Sequence, residues 1–454
     1  MVDITGIAVT RLLDDYDHSV EFPEHSPFIL LYGPNGVGKT KLLELIYNLC
    51  TRNFQALSEI PFRELKLDYS DGSIMKVLRS PAFPEEDDPE RETILLELTL
   101  YKSGRKKSSA SLSFEEPSGT GAAALKRMLE RETTWRQIGP ITWRDDSDGE
   151  IAEWEDLQRR FGLPEHRKSS PKYYELPAPI RDLLRHSPAH LIATQRLLIE
   201  EAPTILRGSR RQRGRSTIAE FAEDIKAKLS RALAENSRTT QQLDRSFPSR
   251  ILSTPQTPIT EDEVRTHYEQ QNARRATLAE IGLIGNEIDV SLPNKALTSW
   301  ELNVLHTYLD DTDRKLDTFS SLVARVTLFL DIINTRFVRK SARVNIDAGI
   351  EIVRSSDLKV IPASSLSSGE QHEFVLMYDL IFNVPRGALV LIDEPEISLH
   401  VAWQKNFTRD IARIADLASL RFIIATHSPQ IIHKSWDKTV QLGPSEPDEV
   451  TVKR

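Results

Sequence analysis

Three short segments of the sequence carry residue types and spacings suited to phosphate chemistry. The first, Gly33-Pro34-Asn35-Gly36-Val37-Gly38-Lys39-Thr40, matches the pattern G-x-x-x-x-G-K-[ST] and follows the apolar run 28–32. Glycines let backbone N–H groups curl around phosphate oxygens, and the N-terminus of a following helix adds favourable partial charge. We therefore expect this loop to bind ATP, with Lys39 reaching the β- and γ-phosphates and Thr40 ligating Mg²⁺.

The second segment is the apolar run 388–392, which ends in the acids Asp393 and Glu394. Buried strands do not usually end in paired carboxylates unless the carboxylates bind a ligand or take part in catalysis. At this place Asp393 lies near a metal ion, and Glu394 can polarise the water that attacks the γ-phosphate. The segment predicts hydrolysis of the bound nucleotide as well as binding.

The third segment is Leu366-Ser367-Ser368-Gly369-Glu370-Gln371, just before a helical pattern. Alone it would be a helix cap, but its N–H groups also suit a second phosphate cradle. It resembles the signature of ABC ATPases, L-S-G-G-Q or L-S-G-G-E, with Ser368 in place of the first glycine. The resemblance implies that ATP is sandwiched between the P-loop of one copy and Ser367, Ser368, Gly369 and Glu370 of another, so the chain is expected to be at least a homodimer.

Two single residues extend this resemblance. His427, in Ala425-Thr426-His427-Ser428, is similar to the switch histidine that contacts the γ-phosphate. Gln195, after the apolar run 189–194, resembles the glutamine that links Mg²⁺ and water to the helical region of ABC ATPases. A lone histidine or glutamine is more often structural, so both roles depend on the resemblance. It implies Glu394, His427 and Lys39 as catalytic residues, with Thr40, Gln195 and Asp393 around the metal.

The spacing of the segments separates the ABC-related families. The long region between Thr40 and Leu366 far exceeds that of transporter ATPases, and SMC-like, RecF-like and OLD-like ATPases resemble the chain better. The run Asp393–His400, DEPEISLH, with ATHSP at 425–429, looks like the OLD-type and AAA_21-like ATPases of bacterial anti-phage systems. OLD nucleases continue into a TOPRIM domain after the histidine, whereas this sequence ends soon after it.

The resemblance therefore implies a separate effector nuclease and no nuclease activity in this chain. The ATPase of the PARIS system, whose partner is a TOPRIM nuclease, is the nearest match, followed by the Septu ATPase with its HNH nuclease. The implied function is a sensor and scaffold, at least dimeric and conceivably a hexameric ring, that holds the effector until a phage trigger arrives. The alternative is a RecF- or SMC-like DNA-repair ATPase that clamps DNA as an ATP-bound dimer.

The elements that must position these residues have the α/β pattern of an ABC-type P-loop NTPase head with an inserted helical region. We expect the first half of the head over 1–200, with an insert at about 118–187, a helical or coiled-coil insert over 201–340, and the second half over 341–454. The longest apolar seam, from Leu302 to Phe337, alternates spacings of three and four, which is typical of a long helix. It suits a projecting antiparallel hairpin or a helical bundle equally well.

Composition excludes some classes of protein. The formal net charge is -8 and Cys50 is the single cysteine, so no disulfide framework is possible. No apolar stretch is long enough to span a membrane and the N-terminus does not resemble a signal peptide, so we expect a cytoplasmic protein without a membrane partner. The arginine-rich run 207–215 could bind nucleic acid or be a solvated loop.

Overall fold

The computed structural model describes residues 2–23, 26–82, 93–115, 135–137, 142–145, 151–153, 176–192, 217–253, 259–285 and 291–443. The chain divides into two compact units. Unit 1 comprises residues 1–26, 31–191 and 440–454, and unit 2 comprises residues 27–30 and 192–439. The P-loop lies in unit 1, whereas the signature, Asp393, Glu394 and His427 lie in unit 2.

Unit 1 is built on a six-stranded antiparallel sheet with the strand order β2-β1-β4-β5-β6-β7. Buried residues alternate with exposed or half-buried ones along its strands, so one face forms a core. The strands are β1 (Ile4–Leu12), β2 (Tyr16–Glu21), β4 (Glu64–Tyr69), β5 (Ser73–Ala82), β6 (Thr93–Lys102) and β7 (Arg105–Glu115).

The hairpin between β6 and β7 has a two-residue turn. Lys102 pairs directly with Arg105. Ser103 and Gly104 alone form the turn, with φ angles of 51° and 74°. Two successive residues at positive φ match the twist of a two-residue hairpin, so pairing continues to the turn.

The rest of unit 1 carries the P-loop. Strand β3 (Phe28–Tyr32) begins in unit 2 and ends in unit 1, where α1 (Lys39–Thr51) and α2 (Phe54–Glu59) follow. Within unit 1 the backbone N–H of Leu442 donates to Tyr32 O at 2.8 Å, beside β17 (Thr439–Gln441). The remaining elements are β8 (Trp135–Gln137), β9 (Thr142–Asp145), β10 (Ile151–Glu153), α3 (Ala178–Arg185) and β11 (Ala189–Ile192).

Three helices form the inserted region of unit 2: α4 (Thr217–Ser253), α5 (Glu261–Glu280) and α6 (Ser299–Asn334). Helix α4 runs antiparallel to α6, because Asn236 contacts Thr318 while Arg250 pairs with Asp311. Helix α5 runs parallel to α6 and packs beside it through polar residues. A capping box of Thr260 and Glu263 begins α5, and Thr298 with Glu301 caps α6 in the same way.

Helix α6 ends earlier than its apolar seam. The seam continues to Phe337, but the helix stops at Asn334. The side chain of Asn334 accepts a hydrogen bond from the N–H of Ala342 at 2.6 Å and donates to its carbonyl at 3.0 Å. These contacts hold the first strand of the next sheet against the end of the helix, and Phe337 remains buried after the turn.

A small antiparallel sheet precedes the signature helix. It contains β12 (Lys340–Asn345), β13 (Gly349–Arg354) and β14 (Val360–Ile361) in that order. Helix α7 (Ser368–Tyr378) follows and continues into a π-helical turn, Asp379–Asn383. The guanidinium of Arg325, on α6, donates to the carbonyl oxygen of Ile381 within this turn.

Aromatic rings join α7 to the inserted helices. Phe329 packs edge-on against Phe374 at 5.1 Å and Tyr378 at 5.9 Å between ring centroids. Phe221, near the start of α4, stacks on Tyr378 at 4.1 Å. The Tyr378 hydroxyl donates to Asp224 at 2.6 Å. Because aromatic pairs of this kind contribute beyond their buried area, the signature helix and the base of the insert form one packed core.

Parallel strands complete unit 2. β15 (Leu389–Asp393) pairs in register with β16 (Arg421–Ala425), and Phe422 N donates to Pro27 O at 2.8 Å, beside the start of β3. Helices α8 (Val401–Ala418) and α9 (Pro429–Ile432) follow the two strands. Every residue of β15 is buried, as expected of a parallel strand covered on both faces. No described helix combines the length and apolar character that a bilayer span requires.

A buried ionic cluster holds the end of α6 against α7 and α8. The guanidinium of Arg336 contacts Glu373 and Asp410, and the three side chains are at most 9% exposed. Burial lowers the pKa of Arg336 despite its ion pair with Asp410. Burial also raises the pKa of Asp410, although Arg336 and Arg413 oppose the shift. Such a cluster is sensitive to the loss of any one member, because the others would remain charged and buried.

Candidate functional site

The P-loop lies between the end of β3 and the start of α1, as its sequence predicts. Lys39 is buried, and its ammonium group donates to the carbonyl oxygens of Gly33 at 2.9 Å and Pro34 at 2.8 Å. The lysine therefore lies across its own loop. A bound triphosphate must attract this charge away from two neutral carbonyls, which a phosphate oxygen can do because charge-assisted hydrogen bonds are stronger.

Two of the P-loop glycines are required by geometry. A Cβ atom on Gly33 would lie 2.2 Å from Leu442 O, which is an impossible contact. Gly36 has a φ of +86° and open space where a side chain would begin. The peptide at Gly36 is therefore exposed toward solvent in a conformation that other residues adopt only with strain. An exposed glycine loop at the N-terminus of the 13-residue helix α1 suits a phosphate group.

His18 contacts the backbone of the P-loop, and it was not among the residues expected at the site. This histidine on β2 is buried, and its Nε2 atom lies 2.7 Å from the carbonyl oxygen of Val37. Its ring stacks on Tyr16 with centroids 5.9 Å apart. His18 lies on β2, outside any sequence motif, so only the alternation of buried positions along that strand could have indicated it.

Asp393 and Glu394 leave β15 in different environments. Asp393 ends the strand and is only 7% exposed. Glu394 is half-buried and has φ 44° and ψ 56°, the left-handed region, while its N–H donates to Ala425 O at 2.9 Å. A non-glycine residue in this region costs free energy, and strain of this kind gathers at active sites.

His427 lies beside Glu394. β15 and β16 are parallel neighbours, so the residues that follow them meet at one edge of unit 2. The imidazole Nε2 of His427 is 3.9 Å from Glu394 Oε1. Glu396 also reaches this loop, accepting hydrogen bonds from the Thr426 hydroxyl at 2.8 Å and the His427 N–H at 2.5 Å. The structure thus brings together a carboxylate and an imidazole that could share a water and a phosphate oxygen.

The signature forms the N-terminus of α7. Ser367 is the N-cap, and its hydroxyl accepts from Glu370 N–H at 3.3 Å while Ser367 N–H donates to the Glu370 carboxylate at 2.7 Å. Lys340 on β12 donates to the same carboxylate at 2.8 Å. Burial acts to raise the pKa of Glu370, but the hydrogen bonds from Lys340 and Ser367 outweigh it, so the pKa is lowered.

The two serines of the signature face solvent, whereas Leu366 before them is buried. Ser367 and Ser368 are exposed, and Gly369 is half-buried with Trp403 in contact range. Nearby segments of unit 2 also expose apolar side chains: Ile397 is 64% exposed and Val401 58%. The signature therefore caps α7 and leaves the N-terminus of that helix open to solvent. Exposed apolar side chains, Ile397 and Val401, lie on the same unit.

The predicted residues fall into two groups. Gly33 to Thr40 lie together in unit 1, and the rest of the described site residues lie in unit 2: Ser367, Ser368, Gly369, Glu370, Asp393, Glu394 and His427. Gln195 and the arginine-rich run 207–215 lie outside the described residues. Among the described residues no group of three or more His, Cys, Asp or Glu could hold a metal ion by itself.

The residues fit ATP with Mg²⁺. The glycine loop leaves room for phosphate at Gly36, and Lys39 supplies a cation. Mg²⁺ prefers oxygen ligands, keeps several waters and takes substrate oxygens, and the Thr40 hydroxyl in unit 1 and the Asp393 carboxylate in unit 2 are each ligands of that kind. When bound, Mg²⁺ would neutralise charge that develops on the phosphates.

Comparison with known proteins gives one family. Residues 28–433, well over half of the chain, match the family model described as AAA domain, putative AbiEii toxin, Type IV TA system. No curated protein matches.

Solved structures similar to this chain include three Smc head domains. One, from Pyrococcus furiosus, has an extended coiled coil and is bound to the C-terminal domain of ScpA; it is 15% identical, with 97% of this chain and 93% of that chain covered and a TM-score of 0.36. Another, from Thermotoga maritima, is 10% identical, with 95% and 91% covered and a TM-score of 0.28. A third, from Pyrococcus yayanosii, has a coiled coil and joint and is 14% identical, with 98% and 96% covered and a TM-score of 0.31.

Proposed function

Because the chain belongs to the family of AAA domains described as putative AbiEii toxin, Type IV TA system, we propose that it is an ABC-type ATPase that binds and hydrolyses ATP with Mg²⁺. The observation that carries the proposal is the approach of His427 to Glu394 at the ends of two parallel strands. Glu394 orients and deprotonates the attacking water, and His427 contacts the γ-phosphate. Lys39 binds the β- and γ-phosphates, and Thr40, Asp393 and Gln195 surround the metal.

The ATP site is completed by a second copy of the chain. Ser367 and Ser368 are exposed at the start of α7, where N–H groups and the helix terminus favour an anion. Ile397 and Val401 expose apolar area on the same unit, which a docked partner would cover. The γ-phosphate joins the two copies, so hydrolysis weakens the assembly, which is a homodimer or a higher-order ring such as a hexamer.

This assembly is tested by size-exclusion chromatography with light scattering, with and without ATP. We expect Ile397→Ser to lower the ATP-dependent assembled fraction, because it removes apolar area at the contact. Leu252→Ser is the matched control, since Leu252 is 87% exposed at the far end of α4. Equal assembly of both variants and the wild type would remove this surface from the contact.

In the cell the ATPase acts as the sensor and scaffold of an anti-phage defence system in the cytoplasm. It holds a separate effector nuclease, of TOPRIM type as in PARIS or of HNH type as in Septu, and releases it when a phage trigger binds. Support comes from the order of the motifs and from the run DEPEISLH at 393–400. Affinity capture with the products of neighbouring genes tests the partner, and co-expression with each neighbour tests toxicity.

This chain has no nuclease activity of its own in the proposed system. Expressed alone it should leave cells viable, and expressed with its effector it should become toxic when the trigger is present. Cleavage of DNA or tRNA by the purified chain would contradict this if the activity survived Lys39→Ala and disappeared on mutation of a carboxylate outside the ATP site.

A second candidate is a DNA-repair ATPase that clamps DNA as an ATP-bound dimer. The long helices α4 and α6, 37 and 36 residues, favour it because they provide an extended surface beside the ATPase core. The arginine-rich run 207–215 is the candidate polyanion contact, and its binding should weaken steeply with salt. Unchanged DNA affinity after replacement of Arg207, Arg210, Arg211, Arg213 and Arg215 by serine would remove that contact from both candidates.

A further inference from the structure

Glu396 occupies a place that the ATPase mechanism above does not use. It lies two residues after Glu394, in the short turn Pro395–Ser398. Its two carboxylate oxygens have different partners: Oε2 accepts from the Thr426 hydroxyl and Oε1 from the backbone N–H of His427. One side chain thus reaches from the turn that follows β15 to the loop that follows β16.

A second side chain joins the same two segments. Gln404 on α8 is buried, and its Oε1 atom accepts a hydrogen bond from the Ser428 hydroxyl at 2.6 Å. Its Nε2 atom donates to the Leu399 carbonyl at 3.0 Å. The histidine loop is therefore held on both sides of His427, by Glu396 at positions 426 and 427 and by Gln404 at position 428.

We infer that Glu396 is a positioning residue: it holds His427 at its distance from Glu394 and makes the 395–399 turn and the histidine loop move together. The inference rests on the proposed ATPase function. A carboxylate suits this task because both of its oxygens accept hydrogen bonds. The bond from the backbone N–H fixes the origin of the His427 side chain and leaves the imidazole free for phosphate.

The same turn carries the exposed side chain of Ile397. Glu396 and Ile397 are adjacent, so pressure from a docked copy on Ile397 moves the Glu396 backbone. That movement reaches the His427 N–H through the Glu396 carboxylate. Glu396 thereby links the exposed turn to the placement of His427.

The first experiment is a double-mutant cycle in the full-length chain. Steady-state kcat and the dissociation constant of a fluorescent ATP analogue are measured for the wild type, Glu396→Ala, His427→Ala and the double variant. We expect Glu396→Ala to lower kcat roughly 10- to 100-fold, since a charge-assisted hydrogen bond is lost. Nucleotide affinity should change by less than about twofold, because the P-loop is untouched. In the His427→Ala background the same change should lower kcat by less than about threefold.

Two further variants separate positioning from general damage. Glu396→Gln keeps one acceptor oxygen and should retain an intermediate kcat. Glu351→Ala removes a carboxylate of unit 2 that pairs with Arg343 between β12 and β13, and it should match the wild type. The inference is overturned if Glu396→Ala lowers kcat equally in the wild-type and His427→Ala backgrounds, or lowers kcat in neither.

A readout independent of turnover keeps the inference testable if the wild type hydrolyses no ATP. Hydrogen exchange of the peptide containing residues 425–430 should speed up in Glu396→Ala and stay unchanged in Glu351→Ala, since the His427 N–H loses its acceptor. An inactive wild type would refute the proposed function, whereas unchanged exchange at His427 would refute the role of Glu396.

Discussion

The imidazole Nε2 of His427 lies 3.9 Å from Oε1 of Glu394, and the backbone N–H of Glu394 donates to Ala425 O, two residues before that histidine. The two side chains are therefore placed by adjacent strands of one sheet rather than by a flexible loop alone. Glu394 adopts left-handed backbone angles at this point. The strained backbone of Glu394 is tolerable because the surrounding structure determines its conformation.

Replacement of the candidate general base should separate binding from hydrolysis. We expect Glu394→Gln to keep nucleotide affinity while kcat falls roughly 100-fold or more, since general-base catalysis contributes on that order. Phosphate release and size-exclusion chromatography with ATP measure the two effects, and the assembled form should accumulate. A Glu394→Gln protein with wild-type turnover would remove Glu394 from the base role.

Replacement of the P-loop lysine should abolish nucleotide binding. Lys39→Ala removes the ammonium that reaches the phosphates, and we expect affinity to fall roughly 100-fold or more. Lys41→Ala is the matched control, because Lys41 is two residues away and pairs with Glu44 on the surface. Titration with a fluorescent ATP analogue compares the variants, and thermal unfolding checks that both are folded. Equal affinities for the two would show that Lys39 does not contact the triphosphate.

The free energy of unfolding should fall measurably in acid because of the capping residue Glu370. The folded-state pKa of Glu370 is lowered from 4.5. The stability that Glu370 contributes is therefore fully present above that value and is lost as the pH falls through the lowered pKa. Glu370→Gln should cost about 1 kcal/mol of unfolding free energy at neutral pH and reduce the loss of unfolding free energy in acid.

Glu301→Gln is the control for that variant, because Glu301 forms the same capping box on α6 and pairs with Lys295 at 2.6 Å. We expect only Glu370→Gln to weaken ATP-dependent assembly. Equal loss of assembly in both variants would mean that capping in general, and not the signature terminus, is responsible.

The buried ionic cluster should be intolerant of losing its cation. Arg336→Met removes the guanidinium that contacts both Glu373 and Asp410, while Asp410 keeps Arg413 at 3.9 Å, and we expect a loss of about 3–5 kcal/mol in unfolding free energy. The pKa of Asp410 is already raised, so its contribution favours the folded state at low pH and declines as the pH rises through that pKa. Denaturant unfolding at several pH values should therefore show a smaller deficit in acid. A deficit independent of pH would indicate that packing, not charge, explains the loss.

Local patterns predicted the elements that carry the chemistry. The P-loop, the paired acids after an apolar strand and the helix cap at the signature each depend on a few neighbouring residues, and each lies beside the strand or helix that its pattern indicates. His18 and Glu396 could not be predicted, because their partners Val37 and His427 are brought near only by the fold. The direction of α5 depends on long-range polar pairs such as Gln271 with Asp313. The end of α6 was wrong by three residues because Asn334 captures the backbone of Ala342.

The π-helical turn Asp379–Asn383 makes the chain unusually sensitive to length at one place. Such a turn holds one residue more than an α-helical turn would, and here Arg325 donates to the Ile381 carbonyl within it. Deleting a single residue from the turn would restore α-helical hydrogen bonding and change which carbonyl oxygen faces Arg325. Sequences that share this packing should therefore keep the number of residues between Tyr378 and the apolar strand β15, even where their identities drift.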